Sequence, residues 1–295
     1  MVQAHLQSGL VYPHLKMDDR IVDPQRESSA RAYIALSRYT VELTEIAHQS
    51  LGREVAGNRD VLIALTLSWK GPLTLSDLRE ATGSPRVSVS RALKRLEAAG
   101  LASRGRDSRD GRSFAVSLTP NGRRRVAALL SRLADYYVSA EPLLKEAFDL
   151  LDVGPADDAS RTTEVVGISA AIAEAGAAWV SAADQALTPL GVRDFAGRFT
   201  LALIHVYGTA RPTQIAGELR LSPSGTSAVL GRLEGAGLIT RRHDLTPGDR
   251  RVVVVELTPL GQQAAHKQLD LFAAHAEALA AALWPTVRSA PNLSR

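Results

Sequence analysis

The sequence predicts a mainly α-helical protein with small β-wings, built as two tandem winged helix-turn-helix modules. Three observations carry that prediction. Leu78 to Leu101 aligns without a gap to Ile215 to Leu238, an internal repeat at an offset of 137 residues. Within each copy a helix carries apolar residues at spacings of four and three. Each such helix is followed by two short β segments around a polar tip.

The length of 295 residues fits about two domains, and 45% apolar residues suffice for a core in each. The repeat makes those domains copies of one another. Its identities are Ser90/Ser227, Leu93/Leu230, Arg95/Arg232, Leu96/Leu233, Glu97/Glu234, Ala99/Ala236, Gly100/Gly237 and Leu101/Leu238. After two inserted residues the match resumes. Asp110-Gly111-Arg112 meets Asp249-Arg250-Arg251, and Leu118-Thr119-Pro120-Asn121-Gly122 meets Leu257-Thr258-Pro259-Leu260-Gly261. Expected boundaries are residues 28–150 for the first module and 160–285 for the second, joined by the acidic linker Asp149–Thr162. Residues 1–27 are expected to be a disordered extension, with Met17 as a second candidate start, and 286–295 a flexible tail.

Each copy has the same order of elements. A long helix comes first, Ser28 to about Leu51 and Thr162 to about Leu187, then a second near Arg59–Trp69 and Asp194–Tyr207. Gly71-Pro72 and Gly208 end the second helices. Thr74 and Asp77 form a T-x-x-D box, in which the hydroxyl caps a helix whose third residue faces the N-terminal dipole. That helix ends near Thr82-Gly83. Ser84 is then expected to cap the next, with Pro85 in its first turn; Arg211-Pro212 and Ser222-Pro223 are the counterparts. Val89, Leu93 and Leu96 make the core-facing stripe, closed by Gly100. The β segments are Ala102–Arg104 and Phe114–Leu118 in copy one; Val252–Leu257 is the clearest strand. One long helix follows each wing: Pro120 to about Leu151 and Pro259 to about Trp284.

A recognition helix places its N-terminal residues against base edges in the major groove. In copy one the exposed candidates are Arg86, Val87, Ser88, Ser90, Arg91, Lys94 and Arg95. Arginine can bond guanine bidentately, and serine serves bases or phosphates. In copy two the matching face is Pro223, Ser224, Gly225, Thr226, Ser227, Ala228, Gly231 and Arg232, small and nearly uncharged. Wing tip one carries Arg106, Asp107, Arg109, Asp110 and Arg112; tip two carries Arg241, Arg242, Asp249, Arg250 and Arg251. Arginine on a hairpin can enter a narrow minor groove, and Asp110 or Asp249 can orient it. A solvated basic face is the plainer reading; the helix-turn-helix spacing and the basic wing favour double-stranded DNA. Net charge of +4 conceals an asymmetry. Residues 76–125 hold 12 basic and five acidic residues, a net of +7, whereas 213–264 hold six and five, a net of +1. Phosphate binding scales with basic contacts, so copy one is expected to be the stronger DNA module.

Other functions lack their residues. With no cysteine there is no disulfide, thiolate metal cluster or thiol nucleophile. The seven histidines show no metal-ligand spacing with carboxylates, and no phosphate loop or nucleophile elbow occurs. No enzyme activity, metal or cofactor is expected. Aromatic content of 5% argues against single-strand stacking. No apolar run reaches the ~18 residues of a membrane span and no secretory signal is visible, so no membrane contact and a cytoplasmic location are expected.

These motifs resemble the MarR family of bacterial transcription regulators. The matching pattern is R-L-E-x-x-G-L, then R, a wing with D-x-R, then L-T-x-x-G. Copy one supplies Arg95-Leu96-Glu97, Gly100-Leu101, Arg104, Asp110-Gly111-Arg112 and Leu118–Gly122; copy two supplies Arg232-Leu233-Glu234, Gly237-Leu238, Arg241, Asp249-Arg250-Arg251 and Leu257–Gly261. The resemblance implies a ligand-responsive regulator, usually a homodimer that pairs N- and C-terminal helices. Two modules in one chain depart from that pattern. The expectation is a single-chain pseudo-dimer whose modules are joined by a helical dimerisation-like layer, acting as a repressor with both winged helices on one operator. A homodimer of tandem chains is the alternative assembly. DNA binding by the first module alone, with the second as sensor or protein-interaction scaffold, is the alternative function. The resemblance also implies a pocket for a small aromatic or phenolic ligand, near which Trp69, Trp179, His205 and Tyr207 fall.

Overall fold

A computed structural model of the chain describes residues 23–55, 57–106, 114–154, 165–243 and 253–293. In the first copy α1 spans Pro24–Leu51 and α2 Asn58–Lys70, the latter stopped by Gly71. Strand β1 (Leu73–Thr74) leads into α3 (Leu75–Thr82), where the expected box forms. The Asp77 N–H donates to Thr74 Oγ1 at 3.2 Å and the Thr74 N–H to Asp77 Oδ2 at 3.0 Å. α4 spans Arg86–Ala98 with Val89, Leu93 and Leu96 buried as the spacing requires. Gly100, at φ +66°, reverses the chain so that the Leu101 N–H meets the Leu96 carbonyl at 2.9 Å. β2 (Ala102–Arg106) and β3 (Phe114–Leu118) make the wing, Ala102 opposite Leu118. The two-residue β1 pairs with β3, Leu73 opposite Val116, a third strand too short for alternation to reveal. α5 runs Pro120–Leu151.

The second copy repeats the pattern. α6 (Val165–Leu187) and a 3₁₀ turn (Thr188–Leu190) precede α7 (Phe195–Tyr207), which Asp194 caps by accepting from the Gly197 N–H at 2.8 Å. β4 (Thr209–Ala210), α8 (Pro212–Leu219) and α9 (Pro223–Gly235) follow, then β5 (Ile239–His243) and β6 (Val253–Leu257). The sheets share one order, β1-β3-β2 and β4-β6-β5. The helix expected over 259–284 is two: α10 (Pro259–Ala274) and α11 (Ala276–Leu293). At His275 the N–H bonds back to the Phe272 carbonyl instead of continuing the ladder, and Nδ1 lies 2.9 Å from the Leu271 carbonyl. Two helix boundaries also differ from expectation: α1 begins at Pro24 and α11 reaches Leu293.

The described residues divide into two compact units. The β1–β3 unit draws on residues 42–141, 165–178 and 278–293; the β4–β6 unit draws on 23–41, 142–154 and 179–277. In the first, Leu65, Leu78, Leu93 and Leu96 centre the core, and the buried Tyr137 hydroxyl shares a 2.7 Å hydrogen bond with Ser169. Burial raises the Tyr137 pKa well above the ordinary phenol value. In the second, Tyr33, Trp179 and Phe272 meet edge to face, with centroids 5.1 to 6.0 Å apart. Pro142, inside α5, marks one boundary between these segments; lacking an N–H, it cannot bond the Val138 carbonyl.

Candidate nucleic-acid interface

The repeated motif residues turn out to hold each winged helix together. Arg95 forms a fork on Asp60 of α2, Nε to Oδ2 at 2.8 Å and Nη2 to Oδ1 at 2.6 Å. Asp60 is buried, and its hydrogen bond raises the Arg95 pKa. Arg232 makes a related contact, its Nη2 pairing with Oδ2 of Asp194, the half-exposed residue that caps α7. Glu97 accepts from Arg104 at 2.6 Å, and Glu234 pairs with Arg241 at 3.1 Å. Thr119 caps α5 by accepting from the Gly122 N–H at 2.9 Å, while its hydroxyl donates to the Gly100 carbonyl at 2.7 Å. Thr258 does both in the second copy, at 3.0 and 2.6 Å. A Cβ at Gly122 would lie 1.9 Å from the Leu101 carbonyl oxygen, and one at Gly261 would lie 1.8 Å from that of Leu238. Only glycine fits there.

Arg95 and Arg232, expected at the DNA surface, therefore have their guanidinium groups committed to carboxylates of their own module. Asp60 and Asp194 were missed. The signal was present, because Arg59-Asp60 and Arg193-Asp194 repeat at an offset of 134, outside the aligned block.

What remains on α4 is a distinct outer stripe. Val87, Arg91 and Lys94 are exposed opposite the core stripe, with Ser88 and Ser90 half-buried beside them and Arg86 exposed at the helix's first residue. Val87, Arg91 and Lys94 fall at spacings of four and three, so they share one face. No side chain caps α4: Ser84, the expected cap, is buried and donates to the Thr82 carbonyl at 3.0 Å. On α9 the same register holds Ser224, Ala228 and Gly231, all exposed. Ser222 does cap that helix, accepting from the Gly225 N–H at 3.1 Å and sharing a 3.0 Å bond with Ser224. Ser227 is exposed, but Thr226 is not available to a groove. It is 3% exposed and its hydroxyl donates to the Ser222 carbonyl at 3.1 Å. Thr226 aligns with Val89, so it fills the core position with a valine-shaped side chain whose hydroxyl is satisfied locally.

Arg106 is exposed at the end of β2. Arg242, on β5, pairs with Glu256 at 2.8 Å. Arg109, Asp110, Arg112, Asp249, Arg250 and Arg251 lie outside the described residues.

The four residues expected near a ligand do not form one group. Trp69 is 49% exposed at the end of α2 in the β1–β3 unit, with the Lys70 ammonium 5.4 Å from its ring centroid. The other three belong to the β4–β6 unit. Trp179 is buried in the aromatic cluster, and His205 stands edge-on to His266 at 5.2 Å. Tyr207 is half-buried, and burial raises its pKa. Sequence reasoning missed Tyr33 and Arg198 of that unit. Burial pushes the Tyr33 hydroxyl up to about 12. Arg198 is 3% exposed, donates to Asp184 at 2.8 Å, and stands where the Arg-Asp register puts Ala64. Among the described residues no cluster of ligating side chains could hold a metal, and no helix is long and apolar enough to cross a membrane.

Residues 60–113 match one family model and residues 199–253 another, both described as MarR family. The chain carries two tandem MarR-like modules. Each match begins in the helix before the helix-turn-helix and ends at the wing. Over 87 residues the chain is 34% identical to the uncharacterized HTH-type transcriptional regulator YwhA of Bacillus subtilis (strain 168). That match covers 30% of this chain and spans 60% of the relative's length. Among solved structures, the transcriptional regulator Tm0710 from Thermotoga maritima is similar at 25% identity, over 34% of this chain and 68% of that one, with a TM-score of 0.30. In both MarR-like modules the R-L-E, G-L and L-T-x-x-G residues do structural work, which leaves the outer stripes of α4 and α9 to differ.

Proposed function

We propose that the protein is a DNA-binding transcriptional regulator, a ligand-responsive repressor whose two winged helices engage one operator from one chain. The observation that carries this reading is the outer stripe of α4, where Arg91 and Lys94 stand exposed on the face opposite the buried Val89–Leu93–Leu96 stripe, with Arg86 exposed at the helix's first residue. Such a face suits the major groove, and first-turn residues reach base edges. Ser88, Ser90, Arg106 and the wing arginines Arg109 and Arg112 complete the first module's contacts. Ser224, Ser227, Arg250 and Arg251 supply a weaker set in the second. The composition of each compact unit supports a single-chain pseudo-dimer, since the β4–β6 unit includes residues 23–41 from the start of the chain. Light scattering tests that assembly: a particle of twice the 31.5 kDa chain mass at low concentration overturns it.

A mobility-shift titration across salt concentrations tests the DNA reading. The double variant Arg86→Ala/Arg91→Ala is expected to lose about 1–3 kcal/mol per base contact and to flatten the salt dependence. Ser224→Ala/Ser227→Ala is expected to lose far less. Unchanged binding by the arginine variant overturns the reading. A second reading, in which the second module is chiefly a sensor, is favoured by the small outer stripe of α9 together with the buried Tyr33, Trp179, Phe272 and Arg198 of its unit.

A further inference from the structure

Val87 is an apolar residue where the rest of its surface is cationic. It is the second residue of α4, its side chain is 61% exposed, and it shares a stripe with Arg91 and Lys94. Neither helix formation nor packing accounts for it: valine is a modest helix former, and the core stripe lies on the opposite face. Single exposed apolar residues are common on protein surfaces. This one occupies the first turn of the reading helix, the part that comes nearest the base edges. In the major groove the apolar group that stands out from a base is the C5-methyl of a pyrimidine; the remaining features are hydrogen-bond donors, acceptors and the small C5–H of cytosine.

We infer that Val87 is a specificity-determining residue that meets a pyrimidine C5-methyl group, of thymine or of 5-methylcytosine, in the half-site read by the first module. The inference rests on the DNA-binding reading above. Arg91, one turn further along the same face, lies in register to take a guanine near that pyrimidine. The second module lacks the device. Its matching residue is Ser224, whose hydroxyl is hydrogen-bonded to the capping Ser222 at 3.0 Å. The two half-sites are therefore unequal in a defined way: one carries a methyl-dependent position and the other does not.

The test uses the full chain and a duplex enriched by it from a randomised library. Each thymidine in turn is replaced by deoxyuridine, which removes the methyl group and keeps every hydrogen bond, and affinity is read by fluorescence anisotropy. At one position in one half-site the wild-type protein is expected to bind about fourfold more weakly, the equivalent of one buried methyl group. Val87→Ser is expected to bind both duplexes alike at that position, and Val87→Ile to restore the difference. A second arm places cytosine or 5-methylcytosine at the same position; tighter binding of the methylated base shows that the methyl group, whichever base carries it, is what is read. Equal binding of thymidine and deoxyuridine duplexes at every position overturns the inference, as does a penalty that survives in Val87→Ser. Failure of the chain to enrich any duplex overturns the DNA-binding reading itself, a result distinct from methyl-indifferent binding. Because Val87 is exposed, its substitution leaves the core intact, which matching thermal melts of wild type and variant verify.

Discussion

On α4 the outer face reads Val87, Arg91, Lys94; on α9 the same register reads Ser224, Ala228, Gly231. Yet beneath those faces the two helices are held in parallel ways: Arg95 and Arg232 pair with carboxylates at the starts of α2 and α7, and Glu97 and Glu234 pair with arginines of the strand that follows. What the copies share is chiefly scaffold, and their sharpest difference is on the surface. Most identities between the repeats therefore mark residues that hold the helix-turn-helix in place, Ser90 and Ser227 excepted, and the outer faces are where the two helices diverge most. Taken alone, repeat identity would have nominated Arg95 and Arg232 as contacts and passed over Val87.

That division can be tested in order of expected effect. Gly122→Ala and Gly261→Ala should be the most damaging, each costing about 3 kcal/mol in urea denaturation because the new Cβ meets a carbonyl oxygen. Near-equal losses are expected, since the role is shared; tolerance at one site alone breaks the symmetry of the scaffold. Asp60→Ala comes next at about 2 kcal/mol, because it removes a two-bond fork at a buried carboxylate while the half-exposed Arg95 can turn to water. Asp194→Ala should cost only about 1 kcal/mol, that carboxylate being 43% exposed and acting mainly as a cap. The reverse order in melting experiments would show that the two pairs are not equivalent in the way their geometry implies. Grafting the first face onto the second, with Ala228→Arg and Gly231→Lys, should strengthen DNA binding by about 1 kcal/mol and steepen its salt dependence. Mobility shifts that do not move would mean α9 stays off the DNA. Smallest is Arg220→Gly. Arg220 ends α8 at φ +51°, where the first copy has Gly83 at +58°. Glycine there should add about 1 kcal/mol of stability, read as a higher denaturation midpoint. No gain would mean that contacts of the Arg220 side chain offset the strain.

Much of this architecture was legible because local chemistry and tertiary packing agree. The Thr74–Asp77 box, the Val89–Leu93–Leu96 stripe and the long α5 form where spacing puts them. The misses have physical reasons. No glycine or proline announces the break at His275, where a side chain competes with the backbone for carbonyls. Ser84 looks like a cap, but its hydroxyl turns back to the helix it leaves. Thr226 is polar by composition and apolar by position, a conflict that its alignment with Val89 would have settled. The Asp60 and Asp194 partners leave no periodic trace within one copy, being 35 and 38 positions from their arginines, and their own repeat at an offset of 134 falls outside the aligned block.

The segmental make-up of the β4–β6 unit also bears on how the chain is made. Tyr33 rests against Phe272, a partner 239 positions later in the sequence. At about 5–20 residues per second, a nascent chain carries Tyr33 and Ile34 for on the order of tens of seconds before that partner is synthesised. Closing so long a loop also places the unit among slowly folding topologies. The first half of α1 is thus the stretch most dependent on protection during translation, and a fragment ended at residue 150 would retain that half while lacking the residues that cover it.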